Sequence, residues 1–326
     1  MAKEKFKTMI GGQALLEGIM MRGPEKDAIV VRTADGLNID VKPRKKRPKN
    51  SIANWPLIRG AVSFFDAQVT GVKALMQSAD LSPEVSEAEP SKLDLWLEKK
   101  LGNENFQKLI IGFAVFMGLA LSIALFILLP MLIGDFIERW TPNSFVRNLL
   151  EGCVRLLILF LYMFLVSRMQ EMRRVFSYHG AEHKTIRCYE AGLPLTVENV
   201  REQTRKHPRC GTSFLLIIMI ISIFVFFGGS QLLLMLIPSL HALEGSFLFR
   251  LIMIVFKLLL LPIIVGIGYE INRLVGRYDN WFTRILMAPG LWFQNFTTYE
   301  PDDEMIEVGI AALQAVIPEE AGADQW

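Results

Sequence analysis

The sequence predicts an α-helical multi-pass membrane protein with about four transmembrane helices and a small cytoplasmic α+β module at its N-terminus. Two observations predict this class. Hydrophobic residues make up 52% of the 326 residues and the mean hydropathy is +0.33, which is too apolar for an ordinary soluble domain of this size. In addition, four apolar segments are each long enough to cross a hydrocarbon layer about 30 Å thick, which requires about 20 helical residues.

The four predicted crossings lie within a membrane domain of residues 109–268, and they divide the rest of the chain. The crossings are Leu109–Ile133, Leu149–Val166, Ser213–Ile237 and Phe247–Gly268. The connection 167–212 is rich in Lys and Arg, whereas the other two connections are short and poor in them. By the positive-inside rule, the loop 167–212, the N-terminus and the tail 269–326 are therefore cytoplasmic.

Two charged residues fall inside predicted crossings. Arg155 lies in the second crossing and Lys257 in the fourth. A charge at the centre of a bilayer costs about 2.5–3.5 kcal/mol on insertion scales, so each side chain either faces protein or reaches the headgroups.

The N-terminal module, residues 1–80, combines a β element with a helix. The stretch AIVVRTADGLNIDVKP predicts two strands joined by the turn Ala34-Asp35-Gly36. Residues 52–80 have helical apolar spacing interrupted by charges, so this helix lies on the membrane surface or re-enters the bilayer. Residues 81–108 predict an acidic linker and a short helix. The basic run Pro43–Lys49 favours the lipid bilayer as a partner, and no nucleic acid is expected.

The chemistry is concentrated in the stretch SYHGAEHKTIRCYEAG of the central loop. His179 and His183 have the form H-x-x-E-H with Glu182, and positions i and i+4 share one face of a helix. This is the arrangement of the inverted zincin motif, in which two histidines hold zinc and the glutamate activates water. The later stretch RKHPRCGTS supplies His207 and Cys210, and nitrogen and sulfur ligands together favour zinc.

Three interpretations of these residues remain open from the sequence. In the first, the protein is a zinc-dependent hydrolase of unknown substrate. His179 and His183 are then ligands, His207 or Cys210 is a further ligand, and Glu182 is the general base for a water whose pKa zinc lowers to about 7. In the second, a structural zinc with four protein ligands fixes the loop of a non-enzymatic scaffold that binds lipid or another membrane protein. In the third, no metal binds, and Glu182 simply pairs with a nearby arginine.

Three further carboxylates could complete an open site. Glu17 lies in GGQALLEGIMMRGP among glycines and apolar residues, and Glu270 and Asp279 follow the last crossing on the cytoplasmic side. Helix capping and ion pairing compete with ligation at each of them.

The chain as a whole resembles the YqhQ-like bacterial membrane proteins, catalogued as a domain of unknown function. The stretches that carry the resemblance are GGQALLEGIMMRGP, YHGAEHKTIRCYEAG, HPRCGTSF and APGLWFQNFTTYEPDDEMIEVGIAAL. They come from the N-terminal module, the central loop and the tail. The resemblance implies a cytoplasmic-membrane protein described as a predicted metal-dependent enzyme, and it names no substrate.

Overall fold

A computed structural model describes residues 5–44, 48, 50–82, 103–138, 144–278, 280–320 and 322–325. The chain divides into two compact units. The first contains Met1–Val85, Tyr162–Ile221 and Pro262–Trp326, and the second contains Ser86–Leu161 and Ser222–Leu261. The first unit thus joins the N-terminal module, the central loop and the tail, which are far apart in the sequence. Of the predicted acidic linker and short helix, residues 81–108, the structure describes only 81–82 and 103–108, and most of the basic run Pro43–Lys49 also lies outside the described residues.

The described elements are mostly helical, with one sheet near the N-terminus. The strands are β1 (Gly11–Leu15), β2 (Gly18–Arg22), β3 (Lys26–Thr33) and β4 (Gly36–Pro43). The first five helices are α1 (Ile58–Leu81), α2 (Asn103–Ile123), α3 (Leu129–Glu138), α4 (Ser144–Val166) and α5 (Gln170–Glu190). The remaining helices are α6 (Val197–Arg201), α7 (Gly211–Leu236), α8 (Phe247–Arg277), α9 (Trp281–Thr297) and α10 (Asp303–Val316).

The sheet is antiparallel with strand order β1-β2-β3-β4. The predicted hairpin is confirmed, since Thr33 pairs with Gly36 across the Asp-Gly turn between β3 and β4. Strands β1 and β2 were not predicted. They form a second hairpin, and Glu17 in its turn has a φ of 50°, in the left-handed region that few non-glycine residues adopt.

The two central strands are buried on both faces. Ala28 and Val30 of β3 point towards a core shared with α5 and α10, whereas Ile29 and Val31 point towards α1. Successive residues of a strand point to opposite faces, so the apolar run AIVV fills both layers. The sheet is therefore the middle layer between α1 and the pair α5 and α10.

Helix α5, which carries the H-x-x-E-H motif, is buried although much of its sequence is polar. Ten of its last thirteen positions from Tyr178 are buried, including Glu182, His183 and Lys184. It packs on β1 and β2 and on α10. Gly180 allows a still closer contact, because a Cβ at this position would lie 2.0 Å from the carbonyl oxygen of Tyr299. Close packing against Tyr299 therefore explains why a glycine occupies this position of the motif.

In the described part of the chain, four helical segments are long and apolar enough to cross a membrane. They are Leu109–Ile137, Leu149–Val166, Gly211–Leu236 and Phe247–Arg277. They coincide with the four predicted crossings, the first and last being longer than predicted. A π-helical turn at Ala124–Leu128 joins α2 to α3 within the first segment.

The two charged residues of the predicted crossings, Arg155 and Lys257, lie in the second unit, and their side chains contact other protein groups there. Lys257 Nζ lies 3.1 Å from Glu151 Oε2, and Arg155 Nε donates to the Phe126 carbonyl oxygen at 2.8 Å. Arg155 and Lys257 are only 3% and 5% exposed. Phe126 belongs to the π-helical turn, where the regular hydrogen-bond ladder is interrupted. Neither charge therefore needs to reach the headgroups.

We expect Gly180→Ala to destabilise the protein by about 1–3 kcal/mol, the usual cost of overpacking a core, because the new methyl group meets the Tyr299 carbonyl. The measurement is the thermal unfolding temperature of the purified protein. Gly118→Ala in α2 is the matched control, because none of the described residues outside the helix's own turn comes within 4 Å of a Cβ there and alanine is the better helix former. Equal melting temperatures for Gly180→Ala and Gly118→Ala would contradict the packing role.

Candidate metal centre

The two motif histidines are held by backbone carbonyl oxygens from other parts of the first unit. His179 Nδ1 lies 2.8 Å from the Thr297 carbonyl oxygen, and His183 Nδ1 lies 2.6 Å from that of Arg205. A carbonyl can only accept, so each Nδ1 donates its proton, and in the neutral ring Nε2 is then the nitrogen whose lone pair can bind a metal. Imidazoles that ligate metals are oriented in this way. The ring centroids lie 4.3 Å apart, as expected for neighbours one turn apart on a helix.

Cys210 brings its thiol to the same place from the residue that precedes α7. Its Sγ lies 3.1 Å from His179 Nε2, and the Thr212 backbone N–H donates to it at 3.4 Å. The start of a helix favours negative charge, which stabilises a thiolate. Ligand atoms of His179, His183 and Cys210 all lie within 4.8 Å of one another.

Two buried atoms beside this cluster have no hydrogen-bond partner among the described residues. They are His183 Nε2 and Glu182 Oε2. A buried polar atom without a partner costs about 1–3 kcal/mol, and a metal ion would satisfy the imidazole nitrogen. Two neutral imidazoles and a thiolate are ligands that zinc accepts. The residues present therefore fit a zinc ion.

The electrostatics favour the ligating form of the cysteine. Burial alone would raise the pKa of the Cys210 thiol, but the charges of His179 and His183 hold it well below its ordinary value. Burial lowers the pKa of His179, but Cys210 more than offsets this and raises it to about 9. Burial raises the pKa of Glu182, against the opposing charges of the two imidazoles.

The fourth predicted ligand, His207, lies next to the cluster but makes a different contact. Its ring centroid lies 5.6 Å from that of His183, and its Nε2 lies 3.3 Å from Glu190 Oε2. Burial and the nearby charge of Arg209 lower the pKa of His207 well below its ordinary value. Glu190 is fully buried, pairs with Arg209, and accepts from the Thr8 backbone N–H at 2.9 Å. His207 therefore belongs to a buried network with Glu190 and Arg209, next to the cluster.

Gln294 of α9 positions the loop that carries His207 and Cys210. Its side-chain oxygen accepts from the His207 backbone N–H at 2.9 Å, and its side-chain nitrogen donates to the His207 carbonyl oxygen at 2.7 Å and to Ser213 Oγ at 2.8 Å. The side chain is fully buried. Sequence reasoning missed this residue, although an amide between the apolar residues of GLWFQNF is a signal that could have found it.

The other carboxylates considered from the sequence have different partners. Glu17 pairs with Arg174 and accepts from the Tyr178 hydroxyl at 3.2 Å. Glu270 pairs with Arg59, whose Nε lies 2.7 Å from its Oε1. Asp279 lies outside the described residues. Glu17 and Glu270 thus join elements of the first unit by ion pairs.

Two neighbouring cavities of the first unit reach the cluster. A cavity of about 300 Å³ is lined by the three clustered residues and Glu182, and a second of about 510 Å³ shares His179 and Glu182 with it. Volumes of this size are typical of small-molecule sites. The cluster is therefore accessible to a ligand.

These features define a class of protein that has four apolar helices of membrane-crossing length and a sheet-containing unit with a buried His/Cys cluster. The chain matches the family described as a protein of unknown function (DUF1385) over residues 55–319, and it belongs to that family. It is 32% identical over 332 residues to the uncharacterized protein YqhQ of Bacillus subtilis (strain 168), a match covering 100% of this chain and 97% of that relative. The YqhQ-like resemblance is thereby confirmed. No solved structure matches the chain.

We expect the purified protein to contain one zinc ion per chain and His183→Ala to lose it, because the variant removes one of three converging ligands. The measurement is elemental analysis after exchange into metal-free buffer. Cys210→Ser should also lose zinc, since a hydroxyl is a much poorer ligand than a thiolate.

Two matched variants control for unspecific effects. His241→Ala should keep full zinc content, because His241 is exposed and pairs only with Glu244 in the contacts described. Cys188→Ser should keep it as well, because that buried thiol donates to the Pro194 carbonyl oxygen instead. Equal zinc content in all four variants would rule out the cluster as the metal site.

Proposed function

We propose that this protein is a zinc-dependent hydrolase that works at the cytoplasmic face of the bacterial inner membrane. The observation that carries the proposal is the convergence of His179, His183 and Cys210 beside Glu182, whose Oε2 has no hydrogen-bond partner in the part of the chain that the structure describes. Structural zinc sites use four protein ligands, whereas catalytic sites use three and keep a position open. Three converging ligands, with His207 turned to Glu190, therefore favour catalysis over a scaffold with a structural metal.

Zinc would supply Lewis-acid chemistry and lower the pKa of a bound water. The protein itself would supply the general base, Glu182, next to that water. Glu182 Oε1 accepts from the Gly12 backbone N–H at 3.0 Å, which leaves Oε2 without a partner in the described part of the chain. Burial raises the pKa of Glu182 above its ordinary value, which makes the carboxylate a stronger base. Gly12 allows this contact, because a Cβ there would lie 2.9 Å from Glu182 Cδ.

The cytoplasmic orientation rests on the basic loop 167–212 and on the composition of the first unit. Residues from the N-terminal module, this loop and the tail belong to that one compact unit. The parts of this unit that lie outside the apolar segments must share one side of a membrane, so an even number of crossings must separate them. Two crossings before the loop and two after it meet this requirement, and the positive-inside rule then favours the cytoplasm.

We expect single cysteines placed at the exposed positions Asp80, Thr196 and Asp302 to be labelled only after the inner membrane is made permeable to a charged thiol reagent. The background should be Cys153→Ser, because Cys153 is exposed whereas the other two cysteines are buried. A cysteine at Leu243, in the short connection between α7 and α8, should be labelled in intact cells. Labelling of Thr196 in intact cells would contradict the proposed orientation.

We expect Glu182→Gln to keep zinc and fold but to lose the ability to complement a deletion strain. Glutamine preserves the volume and can still accept from Gly12, yet it cannot take a proton at neutral pH. A general base contributes typically about 10²- to 10⁴-fold to rate. The measurements are zinc content, melting temperature and complementation.

Glu244→Gln is the matched control, because Glu244 is exposed and remote in sequence from the motif. It should complement fully. Full complementation by Glu182→Gln with normal zinc content would refute the hydrolase and favour the scaffold with a structural metal.

A further inference from the structure

The larger of the two cavities, the apolar chamber, is a continuation of the metal site. It has a volume of about 510 Å³ and shares His179, Glu182 and Arg209 with the smaller cavity of about 300 Å³. All its lining residues belong to the first unit. A molecule bound in the chamber would therefore present one end to the cluster.

Much of the wall of the chamber is apolar. Phe64 of α1 lies against Phe214, close to the start of α7, with ring centroids 6.4 Å apart. Phe176 and Tyr269 add further aromatic surface. Phe214 and Tyr269 belong to two helical segments of membrane-crossing length. The chamber thus offers an apolar environment that adjoins these two segments.

Helix α1, which forms one side of the chamber, also exposes apolar side chains away from it. Phe65 is 59% exposed and Val69 is 56% exposed, although neither lines the chamber. The helix is anchored to α8, since Arg59 pairs with Glu270 and a Cβ at Gly60 would lie 2.9 Å from Gly266 Cα. Exposed apolar residues on a charged helix are typical of one that lies in a membrane interface. With α1 in the membrane interface, the chamber would lie beside the lipid bilayer.

The smaller cavity, next to the cluster, is lined by three arginines and one carboxylate. The arginines are Arg22, Arg44 and Arg209. Arg22 already donates to Asp27 and Asp66, and Arg209 to Glu190. A guanidinium has five N–H donors, so these contacts do not exhaust either group. Guanidinium groups match the geometry of phosphate oxygens, and here they adjoin the apolar chamber.

We propose that the site binds an anionic phospholipid, with the phosphate in the arginine-lined cavity beside the cluster and the acyl chains in the apolar chamber. The inference rests on the proposed hydrolase and names its substrate class. A soluble phosphate ester would leave the chamber empty, and a neutral lipid would leave the arginines without a phosphate. Asn272 supports a ligand with a hydrogen-bonding group in the chamber, because Asn272 lines the chamber and its buried Oδ1 has no partner among the described residues.

The test measures binding rather than turnover, by calorimetric titration of the zinc-loaded full-length protein in detergent. The probes are dioctanoyl phosphatidylglycerol, dioctanoyl phosphatidylcholine with the same chains, and glycerol 3-phosphate with no chains. Phosphatidylglycerol should bind at least about tenfold more tightly than either of the others, a difference of about 1.4 kcal/mol.

Substitutions on α1 test the place of the acyl chains. Ala67→Trp should weaken phosphatidylglycerol binding at least about tenfold, because the indole occupies the chamber. Val72→Trp is the matched control, because Val72 is exposed on the same helix but does not line the chamber. Ala67→Leu is a smaller change that should also weaken binding, and it provides the test if the tryptophan variant folds poorly. Wild-type affinity in both Ala67 variants would overturn the proposal.

The probes separate the failure of this proposal from failure of the hydrolase. Phosphatidylcholine carries the same phosphate, offset by a choline cation, so equal binding of phosphatidylglycerol and phosphatidylcholine would overturn the preference for an anionic headgroup. Equal binding of glycerol 3-phosphate would make a soluble phosphate the ligand. No binding of any probe by zinc-loaded protein would overturn the lipid proposal and leave the hydrolase standing. Glu182→Gln should bind phosphatidylglycerol normally, so its complementation result tests the hydrolase alone.

Discussion

The candidate centre depends on two backbone carbonyl oxygens, those of Thr297 and Arg205. Each accepts the Nδ1 proton of one motif histidine and so turns that ring's Nε2 towards the cluster. The carbonyls come from the end of α9 and from the loop before α7, so both elements must be correctly placed before the rings can converge. Gln294 joins these two elements by bonding both backbone groups of His207. The geometry of the site is therefore a property of the whole first unit.

Helix α5 carries an unusual number of polar groups into the core of that unit. Burying such groups costs free energy unless each finds a partner, and most of them do. Lys184 donates to the Arg201 carbonyl oxygen at 2.9 Å and pairs with Glu300, and Thr185 Oγ1 donates to the Ala181 carbonyl oxygen at 2.7 Å. An apolar helix would fill the same place without these requirements. The polar sequence of α5 is thus better explained by the candidate site that it positions than by stability.

Features that depend on local sequence could be predicted, and those that depend on distant contacts could not. The four apolar segments and the Asp-Gly hairpin follow from composition and turn chemistry within about 25 residues. Strand β2 was missed because it is buried at four of its five positions, so GIMMR shows no alternation. The i, i+4 spacing predicted two imidazoles on one face, but nothing local could show that His207 contacts Glu190 while Cys210 reaches His179. That difference arises where the loop is bound by Gln294, more than 80 residues further along the chain.

The pattern of satisfied and unsatisfied buried groups separates structural clusters from the candidate site. In the second unit, the costly charges of Lys257 and Arg155 contact Glu151 and a backbone carbonyl oxygen, as expected for groups that fix helix packing.

Four buried side-chain atoms lack a hydrogen bond among the described residues. One, Arg32 Nε, is still ion-paired to Glu304 at 3.8 Å. The other three belong to Glu182, His183 and Asn272, and all three residues line the two adjoining cavities. Unpaired buried atoms are costly, and their concentration around one space is what a ligand site requires, because the ligand supplies the missing partners.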